Sequence, residues 1–328
     1  MRFLSAGVLC FFLFPCSAAI FPLPPWGTDL VGVLNTVSAR QQDTLLDIAK
    51  QYNIGQTEIS ISNPGVDRWL PGKNTRILLP TRYILPDAKR KGIVLNIPEM
   101  RLYYYPETEK NQQRTVETFP VSIGRMDWQT PLGDARIIDK TVNPVWRPPK
   151  SIKKEHAEAG DPLPDVVPAG PDNPLGNYAM RLNLPGYLIH STNKPLGIGM
   201  RVTHGCVRMY PTDIEQLFPK IKVGTRVQIV NQPVKIGWFA DSLYLEVHPP
   251  LEEENIDTGW LEEQANLLIS VATETLPVAL NQNKIKTAIK DQTGVPVLIG
   301  QRIEHPVSRG YLPEGAPQSM TEEKLNTP

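Results

Sequence analysis

The sequence predicts a mostly β central domain, with a small αβ unit ahead of it and an α+β region behind it. Three observations lead there. Between residues 92 and 231, short runs rich in Val, Ile and Tyr alternate with turn residues, the pattern of many short strands in a sandwich or barrel-like domain. Ahead of them, Leu45, Ile48, Ala49 and Tyr52 recur at the i, i+3, i+4, i+7 spacing of one helix face. The chain also carries 33 prolines in 328 residues, about twice the average share, which favours extended edges and rigid loops over long helices.

The chain opens with Arg2, an apolar stretch at 3–14 and the small residues Ser17, Ala18 and Ala19, the three-part form of a secretory signal peptide. Residues 1–19 are therefore expected to be cleaved off after Ala19, delivering the protein to the periplasm. The stretch is shorter than the roughly 20 residues that span a bilayer, and no later segment qualifies, so the mature chain is expected to have no transmembrane segment. Cys16 is the right residue type for lipid attachment, but Pro15 directly before it argues against that fate.

Residues 35–80 read as strand, helix, helix, strand. Asp43 and Thr44 are candidate caps for the first helix, and the second ends near Asn63-Pro64-Gly65. After Pro71-Gly72 a run at 76–80 can pair with one at 36–39. In the 92–231 domain, runs at 93–97 and 100–105 flank a Pro98-Glu99 turn as a hairpin. Further strands are expected at 116–123, 135–142, 178–182, 187–190 and 226–230, and one helix at 212–218 behind Pro211. The proline-rich stretch at 143–175, with a short helix near 152–159, is long enough to be a lid or binding element. In 232–305 a strand at 243–247 and helices at 261–272 and 280–290 precede a strand at 295–299, and no chemistry is visible there. The tail at 306–328, rich in Pro, Gly and charge, is expected to be disordered.

The 34 basic residues balance the 34 acidic ones with no long run of either sign, which leaves no electrostatic footprint for nucleic acid. Loss of the signal peptide would remove Cys10 and Cys16 and leave Cys206 alone. An unpaired thiol in an oxidising compartment is either a buried, inert residue or a reactive one. Its neighbours favour reactivity. A thiol with an ordinary pKa of about 8.5 needs a nearby base or cation to act as a nucleophile at neutral pH. His190 stands at the end of a predicted strand, His204 and Arg208 flank Cys206 within two residues, and Gly205 allows an unusual backbone conformation that can face N–H groups toward a substrate oxygen. Zinc is the rival use of Cys and His, but no second mature cysteine exists and His156, His248 and His305 are distant in sequence.

The segment resembles the signature of the YkuD-type L,D-transpeptidases, in Ile189-His190-Ser191-Thr192 and Thr203-His204-Gly205-Cys206-Val207-Arg208-Met209. Ser191 replaces the usual glycine and Thr203 the usual serine, and neither change removes a reacting group. Tyr103-Tyr104-Tyr105, the 167–174 segment and Gly197-Ile198-Gly199-Met200-Arg201-Val202 match the ErfK/YbiS branch. Residues 35–80 resemble a LysM module through Gln42-Asp43-Thr44-Leu45, Asn63-Pro64-Gly65 and Pro71-Gly72, with Gln42 at a usual glycine.

The resemblance implies a YkuD-type β-sandwich whose nucleophile is Cys206 and whose base and acid is His190, oriented by the Ser191 carbonyl. It implies an oxyanion held by the N–H groups of Gly205 and Cys206, and substrate contacts from Thr203, His204 and Arg208. The reaction would join peptidoglycan stem peptides, through a thioester, to an amine and would use no cofactor or metal. The branch points to the C-terminal lysine of a Braun-type outer-membrane lipoprotein as acceptor, with diaminopimelate or water as alternatives. The LysM-like unit implies a glycan partner, and a noncatalytic wall-binding protein is the alternative from another class.

Overall fold

The protein is described by a computed structural model covering residues 19–25, 27–109 and 111–303. The signal peptide up to Ala18, including Cys16, and the 306–328 tail lie outside the described residues.

Strands β1 (Ala19–Pro22) and β2 (Leu30–Gly32) lead into β3 (Asn35–Ser38), α1 (Leu45–Gln51), α2 (Gln56–Ile61) and β4 (Arg76–Leu79). The start of α1 is set by a capping box: the Thr44 hydroxyl accepts the Asp47 N–H and the Asp47 carboxylate accepts the Thr44 N–H, each at 3.0 Å. The helix buries Leu45, Ile48 and Ala49 against Ile54, Ile59, Ile77 and Leu79, while β3 and β4 pair antiparallel from Asn35↔Leu79 to Ser38↔Arg76. This small core belongs to the unit alone. Strand β5 (Arg82–Ile84) pairs with β2 and carries the chain onward.

The central domain contains β6 (Gly92–Asn96), β7 (Arg101–Tyr105), β8 (Thr115–Gly124), β9 (Gly133–Val142), α3 (Lys150–Glu158), β10 (Tyr178–Leu182), β11 (Leu188–His190), β12 (Arg201–Thr203), β13 (Val207–Met209), α4 (Pro211–Leu217) and β14 (Arg226–Val230). The strand order is β8-β13-β11-β10-β9-β14-β6-β7, and β7 pairs back onto β8. The sandwich expectation is thereby corrected: one sheet closes on itself, because β7 hydrogen-bonds β6 along one edge and β8 along the other. Inward-facing Ile93, Leu95, Leu102, Phe119, Val121, Ile137, Met180, Ile189, Val207 and Met209 fill the barrel-like interior, with Ile214 and Leu217 of α4 among them.

The C-terminal region contains β15 (Val234–Phe239), β16 (Ser242–Val247), α5 (Thr258–Thr273), β17 (Val278–Leu280), α6 (Gln282–Asp291) and β18 (Val297–Arg302). Its antiparallel sheet runs β15-β16-β18-β17, and both helices pack their apolar faces into its core. The helix expected from residue 280 starts later. Asn281 is its cap, its side chain accepting the Lys284 N–H at 3.0 Å, and this leaves Leu280 to end β17.

Buried polar contacts join the units. Lys235 of β15 lies 2.9 Å from Glu99 and 2.7 Å from Glu246 and donates to Ile84 O at 2.6 Å, and Tyr103 donates to Glu99. Glu58 of α2 pairs with Arg101 of β7 at 2.6 Å, and the guanidinium lies 4.2 Å over the Tyr83 ring. Asp213 of α4 is fully buried, with both carboxylate oxygens lacking a hydrogen bond of good geometry. Burial pushes its carboxyl from 3.8 up to about 8, against the opposing pull of Arg101 and of Asn53 beside it.

In that window the folded protein holds a proton that the unfolded chain has released. Stability from this group therefore falls as pH rises from about 4 to about 8 and levels off above. Asp213→Asn removes the dependence, so its melting-temperature gain over the wild type should grow across that range. An equal gain at pH 5 and pH 8 would show that Asp213 is not protonated in the fold.

Candidate active site

Parallel pairing of β11 with β13 sets Ile189 opposite Val207 and His190 opposite Arg208. Side chains alternate between faces along a strand, so Cys206, one step before β13, lies on the same side as Arg208 and His190. His190 is buried, and its Nδ1–H donates to Ser191 O at 2.6 Å, which leaves Nε2 as the basic nitrogen. Burial, and then the Arg208 charge, hold the imidazole down to about 3, so it is neutral at physiological pH. Burial also pushes the Cys206 thiol up, although the Leu188 backbone and Arg208 pull the other way. The resting site is thus a neutral thiol beside a neutral imidazole. The thiol donates to Gly186 O at 3.6 Å.

The turn that carries Cys206 is tied down from within. The Thr203 hydroxyl donates to Cys206 O at 2.6 Å and accepts the Gly205 N–H at 3.1 Å. Thr130 adds a second tie, its hydroxyl donating to Gly205 O at 2.8 Å and accepting the Gly124 N–H at 3.0 Å. Gly205 itself has φ +93°, and a Cβ there would come within 2.6 Å of the Tyr187 ring, so no other residue fits. Thr203, expected to contact substrate, is buried with its hydroxyl engaged within the turn, and the Gly205 N–H, expected to face an oxyanion, is bonded to that hydroxyl.

His204 lies at the mouth of the site but is held by the 143–175 insertion. Its Nε2 meets Glu155 of α3 at 2.9 Å, and Arg125 holds the other oxygen of the same carboxylate at 2.6 Å. The Trp128 ring meets the imidazole edge-on at 5.1 Å. The insertion is itself organised around buried Asn173, whose amide donates to the carbonyls of Pro144, Val167 and Pro168. Arg208 is partly buried, its Nε lacks a partner, and among the described residues no carboxylate comes within ion-pair distance of it.

Glu155, Arg125, Thr130 and Trp128 escaped the sequence reading, since each is far in sequence from Cys206 and none carries a spacing signal. Elsewhere, Glu99, Glu246 and His248 form the one cluster among the described residues with metal-like spacing. The Lys235 ammonium already sits between its two carboxylates, which makes the cluster an ion-pair network.

A family model described as the L,D-transpeptidase catalytic domain matches residues 90–229. The chain is 40% identical over 300 residues to the probable L,D-transpeptidase YbiS of Escherichia coli K12, covering 90% of this chain and 96% of that protein. It is 40% identical over 291 residues to the probable L,D-transpeptidase ErfK/SrfK of the same organism, covering 86% and 91%. It is 42% identical over 247 residues to the probable L,D-transpeptidase YcfS, covering 73% and 76%.

The Thr203 clamp predicts that Thr203→Val, which keeps the shape but loses the hydroxyl, costs about 1–3 kcal/mol in denaturant unfolding. Thr203→Ser should retain most of that stability. Equal losses in both variants would assign the effect to the methyl group and not to the hydrogen bonds.

Proposed function

Because the chain belongs to the L,D-transpeptidase family, we propose that Cys206 and His190 carry out its acyl transfer on peptidoglycan stem peptides. The supporting observation is the face shared by His190, Cys206 and Arg208 across β11 and β13, with the His190 tautomer set by Ser191 O. Cys206 Sγ attacks the carbonyl carbon at the L-centre of diaminopimelate in a tetrapeptide stem, and its proton passes to His190 Nε2. The oxyanion takes the Cys206 N–H. The bond to D-alanine breaks, His190 returns the proton to the leaving amine, and a thioester remains. An amine then attacks the thioester while His190 takes its proton, and the thiol is restored. One amide replaces another, so the exchange needs no nucleotide.

Arg208 is the receptor for substrate charge in this reading. A guanidinium withdrawn from water without an acid partner is costly, and a substrate carboxylate would relieve that cost. Burial is the larger cause of the low His190 value, but the same carboxylate would offset the Arg208 charge that adds to it, so the base would gain proton affinity as the stem peptide arrives. His204, pinned by Glu155, presents the insertion to the peptide and does not react.

The acceptor follows from the ErfK/YbiS resemblance: the C-terminal lysine amine of a Braun-type outer-membrane lipoprotein. Residues 35–80 act as a LysM-like glycan-binding module, 92–231 as the catalytic domain and 232–305 as a region without chemistry of its own. The protein works in the periplasm after loss of its signal peptide.

Cys206→Ala should abolish wall-linked lipoprotein in mass spectra of wall fragments. It should also abolish the mass adduct formed with a carbapenem, whose strained amide acylates the same sulfur. His190→Ala should slow that acylation by about 10²–10⁴-fold. An adduct on another residue would overturn the assignment.

The pH profile follows from the two shifts. His190 is neutral above about 3 and Cys206 stays protonated through neutrality, so the reacting pair does not change between them. The acylation rate of the free enzyme should be flat from about pH 5 to 8. A limb near pH 6.5 would mean that the imidazole titrates at its ordinary value.

A further inference from the structure

The chain between His190 and Cys206 is not self-supporting. It leaves β11, runs through residues 191–200, forms β12 and reaches Gly205. One side of this path is held by the barrel: Ser122 donates to Gly197 O at 2.7 Å, and the Ile123 and Arg125 N–H groups donate to Met200 O and Thr203 O at 3.2 and 3.0 Å. The other side is held by the N-terminal strand–helix–helix–strand unit. The Gln56 and Thr57 N–H groups, free because they begin α2, donate to Ile198 O at 3.0 Å and Gly199 O at 3.1 Å. The Gln56 side-chain amide donates to Leu196 O, and its oxygen accepts from Arg68 at 2.5 Å.

The two backbones meet at a pair of glycines. Gly199 has φ +84°, and a Cβ on it would fall 2.4 Å from both the Gly55 Cα and the Gln56 nitrogen. A Cβ on Gly55, whose own backbone is ordinary, would stand 3.0 Å from the Gly199 Cα. The nearest atoms on both sides of this contact are main chain, which leaves it little slack to absorb. Just behind it the Glu58–Arg101 pair and the Tyr210 hydroxyl, which donates to Ile54 O at 3.4 Å, hold the unit against the barrel.

We propose that Gly55 and Gln56 of the N-terminal unit are positioning residues of the transpeptidase site, holding the 196–199 loop so that Cys206 stands in register with His190. The unit then sets the rate of acylation through the loop, independently of any glycan it binds. This rests on the assignment of Cys206 and His190 as the reacting pair.

The test uses the full-length protein and a carbapenem, with the maximal acylation rate and the half-saturating drug concentration measured separately by mass spectrometry. Gly55→Val keeps α2 and wedges the loop away, and Gln56→Ala removes the amide contacts. Displacing a reacting group by about 1 Å costs up to roughly a hundredfold in rate. Gly55→Val should therefore lower the maximal rate by about ten- to a hundredfold, Gly55→Ala and Gln56→Ala by less, with half-saturation nearly unchanged.

Circular dichroism and melting curves identify any variant that fails to fold. If Gly55→Val is such a variant, Gly55→Ala and Gln56→Ala decide the question. Wild-type maximal rates in folded variants would overturn the positioning role while leaving the chemistry intact. An adduct persisting in Cys206→Ala would instead overturn the underlying assignment. A fall in drug affinity without a fall in maximal rate would also count against positioning.

Discussion

Two short strands lying parallel, β11 and β13, bring a histidine and a cysteine sixteen positions apart in sequence to one face of the barrel. A parallel pair cannot be joined by a tight turn, so the chain must leave the sheet and come back. Here the return path passes through β12, which pairs with β8, and through the Gly205 turn. Everything near the thiol follows from this crossover. Thr203 and Thr130 close the turn, the insertion packs over it through Glu155, and the N-terminal unit braces the loop that feeds it. A tight hairpin would have needed none of these supports, but it would have paired the strands antiparallel.

The charges buried between units tie the parts of this chain to one another. Moving an ion out of water costs several kcal/mol, and one partner at good geometry seldom restores the whole amount. Lys235 meets that demand with two carboxylates and a carbonyl drawn from three stretches of chain, and Glu246 also accepts the Ile84 N–H at 2.7 Å and meets His248 at 2.6 Å. Arg101 is shared between Glu58, Thr118 and the Tyr83 ring. Each network is fully partnered only while the units it joins stay docked. Separating one unit would leave charges stranded in the others, which gives the assembly a cooperativity that apolar contact alone would not supply.

Much of this was legible in the sequence, for local reasons. The helix at Leu45 showed itself by period and cap, the hairpin by alternating strands about Pro98-Glu99, and the candidate site by Cys206 with histidines and a glycine around it. Strands β12 and β13 were not read, since three residues each, Arg201–Thr203 and Val207–Met209, are too short to show a period. Closure of the barrel was equally hidden: it depends on β7 pairing on both edges, and a strand buried on both sides reads the same in a sandwich. The occupied Gly205 N–H was beyond a motif reading because the residue that occupies it, Thr203, is part of the same motif. A motif names the residues that meet; it does not say which of them are already spent on one another.

The electrostatics of the resting site bear on how the Cys206 thiol would resist oxidation under the periplasmic placement proposed above. Oxidation proceeds through the thiolate, and its rate follows the ionised fraction and exposure. A site that kept Cys206 and His190 as an ion pair would be reactive at all times, toward oxidants as well as substrate. Burial does the opposite here, raising the thiol and lowering the imidazole until neither is charged at neutral pH. The cation that could have stabilised a thiolate, Arg208, is left without a carboxylate of its own among the described residues and also opposes protonation of His190. Proton transfer from Cys206 to His190 would leave a thiolate that Arg208 favours and an imidazolium that Arg208 opposes, and an anion arriving at Arg208 would ease the second effect. The acidic end of a stem peptide is such an anion: burial keeps the resting pair uncharged, and Arg208 would tie the proton affinity of His190 to the arrival of substrate charge.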